Sequence, residues 1–372
     1  MDLNIWFRVD AATWIGIGHV MRCLTLADAL ASEGARCGFI CRDHKGHLGE
    51  LIKGRGHRLT LLVSRGPTSH VSYIDEATPT HAHWLNATAD LDAHQSVQVL
   101  ADENPDWLVV DHYALDYRWE RAVRPHCRKL MVIDDLADRL HDCDVLLDQT
   151  YARNRVVYRG LVPTSCTLLC GSRYALLRPE FDVQRGSSLE RRQAKNFKID
   201  RIMITMGGVD ADNVTGKVLD VLAEMTLPKS LVINVVLGGS APWLDKVRDQ
   251  VSELPYQMEL CVDATNMASL MSQADLAIGA AGATSWERCC LGLPAIMIIL
   301  AENQRLAGSE LQREGAAQVL EYINDIPAKL PPLLDELISN GDLSMSDMSR
   351  KASEIVDGQG VRRVADVMRG LT

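Results

Sequence analysis

The stretch Leu3–Leu30, LNIWFRVDAATWIGIGHVMRCLTLADAL, joins an apolar strand, a glycine-rich turn and a helix. Leu3–Val9 is apolar on both faces, as strands are in a parallel sheet that helices cover on both sides. After the turn, apolar residues recur at helical spacing, at Val20, Cys23, Leu24, Ala27 and Leu30. A helix is therefore predicted to begin near His19, and the whole stretch predicts an α/β fold.

The same alternation of strands and helices occurs twice along the chain. Strands of the first half are predicted at Leu3–Val9, Arg36–Cys41, Arg58–Val63, Trp107–Asp111, Lys129–Asp134 and Asp144–Asp148. Strands of the second half are predicted at Arg201–Gly208, Leu231–Gly239, Asp275–Gly282 and Pro294–Leu300. The charged segment 185–198 between them has few large apolar residues, which indicates a linker. We predict two doubly wound, Rossmann-type α/β domains that face each other, an N-terminal one at 1–184 and a C-terminal one at 199–372.

Composition narrows the class of protein. A chain of 372 residues is long enough for two cores. Its net charge of -10 argues against a nucleic-acid partner, since neutralising phosphates needs a basic surface. No apolar run is long enough to span a bilayer and the N-terminus lacks a signal-peptide pattern, so no membrane partner is expected. Ten cysteines without a CxxC pair indicate reduced thiols in a cytoplasmic protein.

The first glycine-rich turn carries a histidine. Gly16 and Gly18 allow a ligand to approach the backbone closely, and His19 follows at the start of the predicted helix. The turn lacks the third glycine of a dinucleotide-binding fingerprint. His19 is therefore either an acid–base group or a turn residue without a chemical role, and the turn alone leaves both interpretations open.

A second turn, GAAGATSWERCCLGLP at Gly279–Pro294, has no bulky side chain before its helix. Thr284 and Glu287 fit the T-x-x-E spacing of a capping box, which is the purely structural interpretation. The functional interpretation is that Gly282, Ala283 and Thr284 receive a diphosphate and that Glu287 accepts hydrogen bonds from a ribose. The run of small residues favours the second interpretation, because a helix cap does not need it.

Other polar residues follow predicted strands, where α/β sheets bind ligands. Gly207 and Gly208 follow the first strand of the second half, where their N–H groups could reach phosphate oxygens, and a plain turn is the alternative. Gln304 lies in the segment AENQ after the strand Pro294–Leu300. Asp111 and Tyr113 follow the strand Trp107–Asp111. Helix capping by Asp111 and interface packing by Tyr113 are the alternatives to a ligand contact. Asp134 and Asp135 are adjacent carboxylates, but no third oxygen ligand has a convincing spacing, so no metal site is predicted.

Along nearly its whole length the chain resembles the UDP-sugar hydrolases of pseudaminic acid biosynthesis. The stretches that carry the resemblance include RVDAATWIGIGHVMRCLTLADAL, WLVVDHYALDYRWE, VIDDLADRLHDCDVLLDQ, YALLRPEF, GGVDADN and GAAGATSWERCCLGLPAIMIILAENQ. The last alone indicates only the GT-B superfamily of nucleotide-sugar enzymes. Its combination with the N-terminal pattern GxGHxxR, which ends at Arg22, is more specific.

The resemblance implies a GT-B-like fold with the active site between two domains. It implies hydrolysis of UDP-2,4-diacetamido-2,4,6-trideoxy-β-L-altropyranose to the free sugar and UDP, without a metal or other cofactor. It places the active-site histidine, tyrosine and asparagine at His19, Tyr113 and Asn303. The expected substrate-binding residues are Gly16, Gly18, Arg22, Asp111, Gly207, Gly208, Gly282, Ala283, Thr284, Glu287 and Gln304. The chain departs from the expected pattern at Ile17, where a small hydroxyl residue is expected between the two glycines.

These expectations give His19 a role. A neutral histidine at the end of the first sheet can take a proton from the water that replaces UDP, while the C-terminal domain holds the diphosphate. Two alternatives stay open at this point. One is a glycosyltransferase of the same fold that passes the sugar to an acceptor, and the other is a nucleotide-sugar binding protein without catalytic activity.

Overall fold

A computed structural model describes residues 3–63, 78–194, 198–340 and 342–371, and contacts divide the chain into two units. Unit 1 comprises Met1–Leu176 together with Gly360–Thr372, and unit 2 comprises Leu177–Gln359. The C-terminal segment thus returns to the first unit. Part of the polar segment between the third strand and Ala101, residues 64–77, lies outside the described residues.

Unit 1 contains a seven-stranded parallel sheet in the order β3-β2-β1-β4-β5-β6-β7. Its strands are β1 Asn4–Val9, β2 Arg36–Arg42, β3 Arg58–Leu62, β4 Trp107–Asp111, β5 Lys129–Ile133, β6 Val145–Asp148 and β7 Thr167–Cys170. β1 and β4 are neighbours, and Val9 pairs with Asp111 at their carboxyl ends. This pairing brings the residues that follow the two strands to the same edge of the sheet.

Unit 2 contains a six-stranded parallel sheet in the order β10-β9-β8-β11-β12-β13. Its strands are β8 Arg201–Thr205, β9 Val232–Leu237, β10 Gln257–Val262, β11 Leu276–Ala280, β12 Ala295–Ile298 and β13 Gln318–Leu320. This is the Rossmann order, in which the chain reverses direction across the sheet beside the first strand. The prediction of two parallel-sheet α/β domains is confirmed.

Helices connect the strands in both units. They are α1 Gly18–Ser32, α2 Gly49–Gly54, α3 Ala89–Glu103, α4 Tyr117–Val123, α5 Pro179–Ala194, α6 Val214–Glu224, α7 Leu244–Glu253, α8 Met267–Gln273, α9 Thr284–Cys290, α10 Arg305–Glu314, α11 Ile326–Asn340, α12 Asp342–Ile355 and α13 Gly360–Gly370. The predicted helix near His19 is α1, and Val20, Cys23, Leu24, Ala27 and Leu30 are all buried on it. Among the described residues, none of these helices combines the length and the apolar character that a membrane crossing needs.

The boundary between the units differs from the predicted one. The predicted linker, 185–198, begins inside α5, and the chain passes from unit 1 to unit 2 earlier, at Leu176–Leu177. Although α5 is highly charged, Phe181, Ser188 and Arg192 are buried on it. The guanidinium of Arg192 donates to the main-chain oxygens of Leu291, Ala274 and Met271 at 3.0, 2.9 and 3.0 Å. The buried Arg192 side chain thus attaches α5 to the rest of unit 2.

Candidate functional site

His19 lies in the first turn of α1, at the carboxyl end of the sheet of unit 1. The turn before it needs a left-handed backbone at Gly16, where φ is +83°. The ring nitrogen Nδ1 of His19 lies 2.6 Å from Oδ1 of Asp111, the last residue of β4. Asp111 has no exposed surface. The structure therefore places Asp111 behind His19 and away from solvent, which differs from its predicted contact with substrate, and the N-cap of α4 is Asp116 instead.

Arg22, one turn further along α1, binds the same carboxylate with two hydrogen bonds. Its Nε donates to Oδ2 of Asp111 and its Nη2 donates to Oδ1, both at 2.6 Å. Burial alone would raise the pKa of Asp111, but the charges of Arg22 and His19 outweigh it and hold that pKa well below its usual range. Arg22 is itself buried, so it too lies behind His19 rather than at an open binding surface.

The ionised state of Asp111 assigns the tautomer of His19. The donor Nη2 of Arg22 lies 3.1 Å from Nδ1, but the shorter contact, 2.6 Å, is with the carboxylate, which can only accept a hydrogen bond. Nδ1 therefore carries a proton. The second nitrogen, Nε2, then has the free electron pair in the neutral ring. Among the described residues, no hydrogen bond occupies Nε2, and the side chain of His19 keeps 11% of its surface exposed. This arrangement prepares Nε2 to accept a proton.

Tyr113 lies beside the ring of His19. The two rings meet edge to face, with centroids 4.6 Å apart and planes at 86°. The hydroxyl of Tyr113 donates to Oδ1 of Asp135, while Nη1 of Arg22 lies 3.4 Å from the other oxygen, Oδ2. Burial, and then the charge of Asp135, raise the pKa of Tyr113 well above its usual value. Tyr113 is therefore a neutral phenol that packs against His19 and is fixed by Asp135.

Two aromatic residues that the sequence did not assign to the site complete this surface. The ring of Trp84 has its centroid 6.0 Å from that of His19 and 5.4 Å from that of Tyr113. His81 lies 4.7 Å from Trp84 and 5.3 Å from Tyr113, and it is half-buried. Burial lowers the pKa of His81. The segment around His81 therefore folds onto the aromatic rings of Trp84 and Tyr113.

Asp134 and Asp135 are adjacent, but their carboxylates have different partners. Asp134 is fully buried and binds Arg139 at 2.7 Å, whereas Asp135 faces Tyr113 and Arg22. Within the described ranges, no three His, Cys, Asp or Glu side chains are grouped as metal ligands would be.

In unit 2, the turn after β11 leads into α9, and the predicted capping box does not form. Ala283 is the N-cap residue and no side chain caps the helix, so Thr284 is the first helical residue. Oε1 of Glu287 lies 3.6 Å from Nη2 of Arg178. The other oxygen, Oε2, is buried without a hydrogen-bond partner among the described residues. Burial, only partly offset by the charge of Arg178, raises the pKa of Glu287.

The remaining predicted residues of unit 2 lie at neighbouring strand ends. Gly207 follows β8 with a left-handed φ of +99°, and the main-chain oxygen of Gly208 accepts a hydrogen bond of 3.0 Å from Gly238. Oε1 of Gln304 accepts from the main chain of Leu300 at 3.0 Å. A Cβ atom on Gly282 would lie 3.5 Å from the amide nitrogen of Gln304, Nε2.

Asn303 is exposed in the short 3₁₀ helix Glu302–Gln304. The same segment borders a cavity of about 330 Å³ at the carboxyl ends of β12 and β13. The structure thus gathers two groups of predicted residues, one in each unit. His19, Arg22, Asp111 and Tyr113 are in contact in unit 1, and the glycine-rich turns, Glu287 and Gln304 lie at neighbouring strand ends in unit 2.

Comparison with known proteins is consistent with two separate units, because one family model matches a range that lies almost entirely within unit 2. Residues 201–360 match the family model of the glycosyltransferase family 28 C-terminal domain. The chain is 26% identical over 321 residues to the UDP-2,4-diacetamido-2,4,6-trideoxy-beta-L-altropyranose hydrolase of Campylobacter jejuni, covering 86% of this chain and 100% of that protein. The resemblance that the motifs predict is confirmed by this match.

Solved structures share the fold. MurG of Acinetobacter baumannii superimposes with a TM-score of 0.67 at 16% identity, with 99% of each chain covered. The UDP-GlcNAc 2-epimerase of Neisseria meningitidis, bound to UDP-GlcNAc, gives 0.63 at 11% identity, with 100% of each chain covered. At these identities the likeness shows the GT-B-like fold.

Proposed function

We propose that this chain is an enzyme that acts on a UDP-sugar, and that it hydrolyses UDP-2,4-diacetamido-2,4,6-trideoxy-β-L-altropyranose to the free sugar and UDP. The observation that carries the proposal is the contact of His19 with Asp111, which leaves Nε2 as a base. The hydrolase of Campylobacter jejuni, matched over its full length, supports the choice of substrate. The ten cysteines, all free, accord with a cytoplasmic site of action.

In the proposed reaction, unit 1 performs the proton transfer. Nε2 of His19 takes a proton from water, and the oxygen of that water forms a bond to the anomeric carbon. The bond from that carbon to the diphosphate oxygen breaks, and UDP leaves with the electron pair. Asp111, held by Arg22, fixes the ring and stabilises the positive charge that His19 gains. Attack opposite the leaving group inverts the anomeric centre.

Unit 2 is proposed to bind the UDP portion. The main-chain N–H groups of Gly207, Gly208, Ala283 and Thr284 would donate to the diphosphate, in turns that carry no bulky side chain. The unpartnered Oε2 of Glu287 would accept a hydrogen bond from a ribose hydroxyl. A buried acceptor without a donor costs free energy, and a ribose supplies the missing donor.

Other predicted residues take supporting roles in this proposal. Gly16 and Gly18 would leave room for the sugar, since neither has any atom within 4 Å of the place where a Cβ would stand. Asn303, exposed near the end of β12, and the ring of Tyr113 would contact the sugar or its attacking water.

A glycosyltransferase is the second candidate, because residues 201–360 match a glycosyltransferase domain. The two candidates differ in what replaces UDP. Water is sufficient for the hydrolase, whereas a transferase needs an acceptor. Incubation of the chain with the UDP-sugar alone therefore distinguishes them: the hydrolase releases UDP, and the transferase does not.

A single turnover in heavy-oxygen water tests the mechanism. We expect the label in the free sugar and none in UDP, with the inverted anomer seen by prompt NMR before mutarotation. The H19A variant, run in parallel, should release neither product at a comparable rate. Label in UDP would mean attack at phosphorus and would remove His19 from its proposed role.

A further inference from the structure

Arg288, in α9, is a fully buried arginine that the proposed reaction does not yet use. Its Nη2 donates to the main-chain oxygen of Ala280 at 2.5 Å and to Oγ of Ser285 at 3.1 Å. Its Nε and Nη1 have no hydrogen-bond partner among the described residues. No carboxylate in the described part of the chain forms an ion pair with it. Arg288 is thus a buried cation with free donors.

The guanidinium lies beneath the glycine-rich turns. A Cβ atom on Gly279 would stand 2.4 Å from Nη1 of Arg288 and 2.5 Å from the main-chain oxygen of Thr205. Thr205 and Gly279 pair at the ends of the neighbouring strands β8 and β11. The absence of a side chain at Gly279 therefore makes room for the guanidinium where the turns Gly207–Gly208 and Gly279–Ala283 begin.

The charge at this place is not balanced within the protein. Burial lowers the pKa of Arg288 to about 10, so it remains a cation at neutral pH. Cys289 and Glu287 favour its charge, but burial raises the pKa of the Cys289 thiol to about 12, so it is neutral, and Glu287 already lies 3.6 Å from the guanidinium of Arg178. An unpaired buried charge destabilises a protein, so its retention needs a reason beyond packing. Buried groups that lower stability in this way are expected at functional sites, where they serve binding or catalysis.

We infer that Arg288 is a positioning residue whose counter-charge is the diphosphate of the bound nucleotide. It stabilises the anion from its buried position beneath the two turns, and its bond to Ala280 holds the end of β11 in place. The inference rests on the proposed function, because it takes the ligand of unit 2 to be a nucleoside diphosphate.

The test compares ligands of different charge. In R288M, an apolar chain of similar length replaces the cation. We expect its affinity for UDP to fall at least tenfold, its affinity for UMP to fall less, and its affinity for uridine to stay unchanged, all measured by calorimetric titration. The melting temperature does not decide the test, because the substitution removes an unbalanced charge and also the bonds to Ala280 and Ser285. A purely structural role predicts equal losses for all three ligands, which would overturn the inference.

Arg192 provides the matched control. It is also buried in unit 2, but its donors are taken up by the main-chain oxygens of Leu291, Ala274 and Met271. R192M should lower the melting temperature and leave the ratio of UDP to uridine affinity as in the wild type. An R192M variant with the same charge-dependent loss as R288M would show a general effect of net charge and would refute the assignment to Arg288.

A second variant keeps the test valid if R288M fails to fold. In R288K, burial should bring the lysine pKa down from its ordinary value of about 10.4. The affinity for UDP should therefore fall from pH 7 to pH 8.5 in R288K and stay level over the same range in the wild type, where Arg288 and the uracil both keep their protons. A level response in R288K would contradict the inference. If the wild type itself binds no UDP, the proposed function fails as a whole, a result distinct from either variant outcome.

Discussion

His19 obtains its proposed reactivity from two buried neighbours, Asp111 and Arg22, rather than from its own position on α1. Its position could be predicted from the sequence, because it follows a glycine-rich turn at the end of a buried strand. The roles of its neighbours could not, since strand ends indicate proximity but not which carboxylate faces which nitrogen. Trp84 was missed altogether, because no motif marks an aromatic residue in an irregular segment that folds back onto the site.

H19A should abolish turnover while leaving UDP binding nearly unchanged, because His19 is in unit 1 and the proposed UDP contacts are in unit 2. Loss of a general base costs roughly two to four powers of ten in kcat. Steady-state kinetics with calorimetric titration of UDP would measure both quantities. H94A, which removes an exposed histidine of α3, is the control and should keep full activity. Turnover close to that of the wild type in H19A would exclude His19 as the base.

E287Q should weaken UDP binding without destabilising the protein. The structure separates these effects, because Glu287 does not cap α9. Glutamine keeps a neutral acceptor oxygen, so the expected loss of binding free energy is the difference between a charged and a neutral hydrogen bond, about 1 kcal/mol. Titration with UDP and with its 2′- and 3′-deoxy analogues would show the contact, since the variant and the wild type should differ least for the analogue that lacks the bonded hydroxyl. Equal losses for all three nucleotides would argue against a ribose contact.

Asp148, at the end of β6, should make stability depend on pH. Burial raises its pKa to about 6, despite the ion pair of 2.5 Å with Arg153 and the hydrogen bond that Thr150 donates to it. Between its unfolded value of about 3.9 and 6, the native state keeps a proton that the unfolded chain has lost, so the free energy of unfolding falls as pH rises. D148N cannot ionise and lacks this decrease.

Urea unfolding of both proteins at pH 4, 5, 6 and 7 would measure the effect of Asp148. The stability of the wild type relative to D148N should decline by about 2–3 kcal/mol over this range, most of it before pH 6. Parallel curves for the two proteins would show that the Asp148 carboxyl titrates normally.

At the scale of elements, the ten predicted strands are all present, and the structure adds three. The added strands are short or lie at sheet edges: β7 has four residues, β13 has three, and β10 is partly exposed along its length. Such strands carry little of the continuous apolar signal that marks the central ones. The helix α5 was mistaken for a linker because its stabilising contacts come from arginines that bond to main-chain oxygens, a pattern that hydrophobic periodicity does not register.

The helix α13 depends on a close approach at its first residue. A Cβ atom on Gly360 would lie 2.1 Å from the main-chain oxygen of Ala175 and 2.6 Å from its nitrogen. G360A should therefore destabilise unit 1 by about 1–3 kcal/mol, because the backbone must move to relieve the overlap.

The other end of the same helix supplies the control for Gly360. Gly370 has open space where its Cβ would stand, and G370A should change stability by less than about 1 kcal/mol. Chemical unfolding of both variants, followed by a probe in unit 1, would compare them. Equal stabilities would mean that α13 can shift away from Ala175 without loss.

At the scale of the whole molecule, the two units share the order of their first six strands but have different proposed tasks. In both sheets the first strand is flanked by the second and the fourth, and most of the residues assigned to chemistry follow the first and the fourth strands. The sequence showed this repetition, because both halves contain buried strands followed by small or polar residues. It did not show that the chain returns to unit 1 after completing unit 2. The return is marked by Val361, Val364, Ala365 and Met368 of the last helix, which are buried in the core of unit 1, and their spacing fits any amphipathic helix.

Because unit 2 is inserted between two parts of unit 1, the order of synthesis does not match the order of completion. A ribosome must translate residues 177–359 before the helix that completes the first core emerges. During synthesis, unit 1 therefore lacks the contact between α1 and α13 until unit 2 has been translated and can fold. Unit 1 is therefore the first to be synthesised in part and the last to complete its fold. A premature stop before Gly360 would remove α13 and leave the core of unit 1, which carries His19, incomplete.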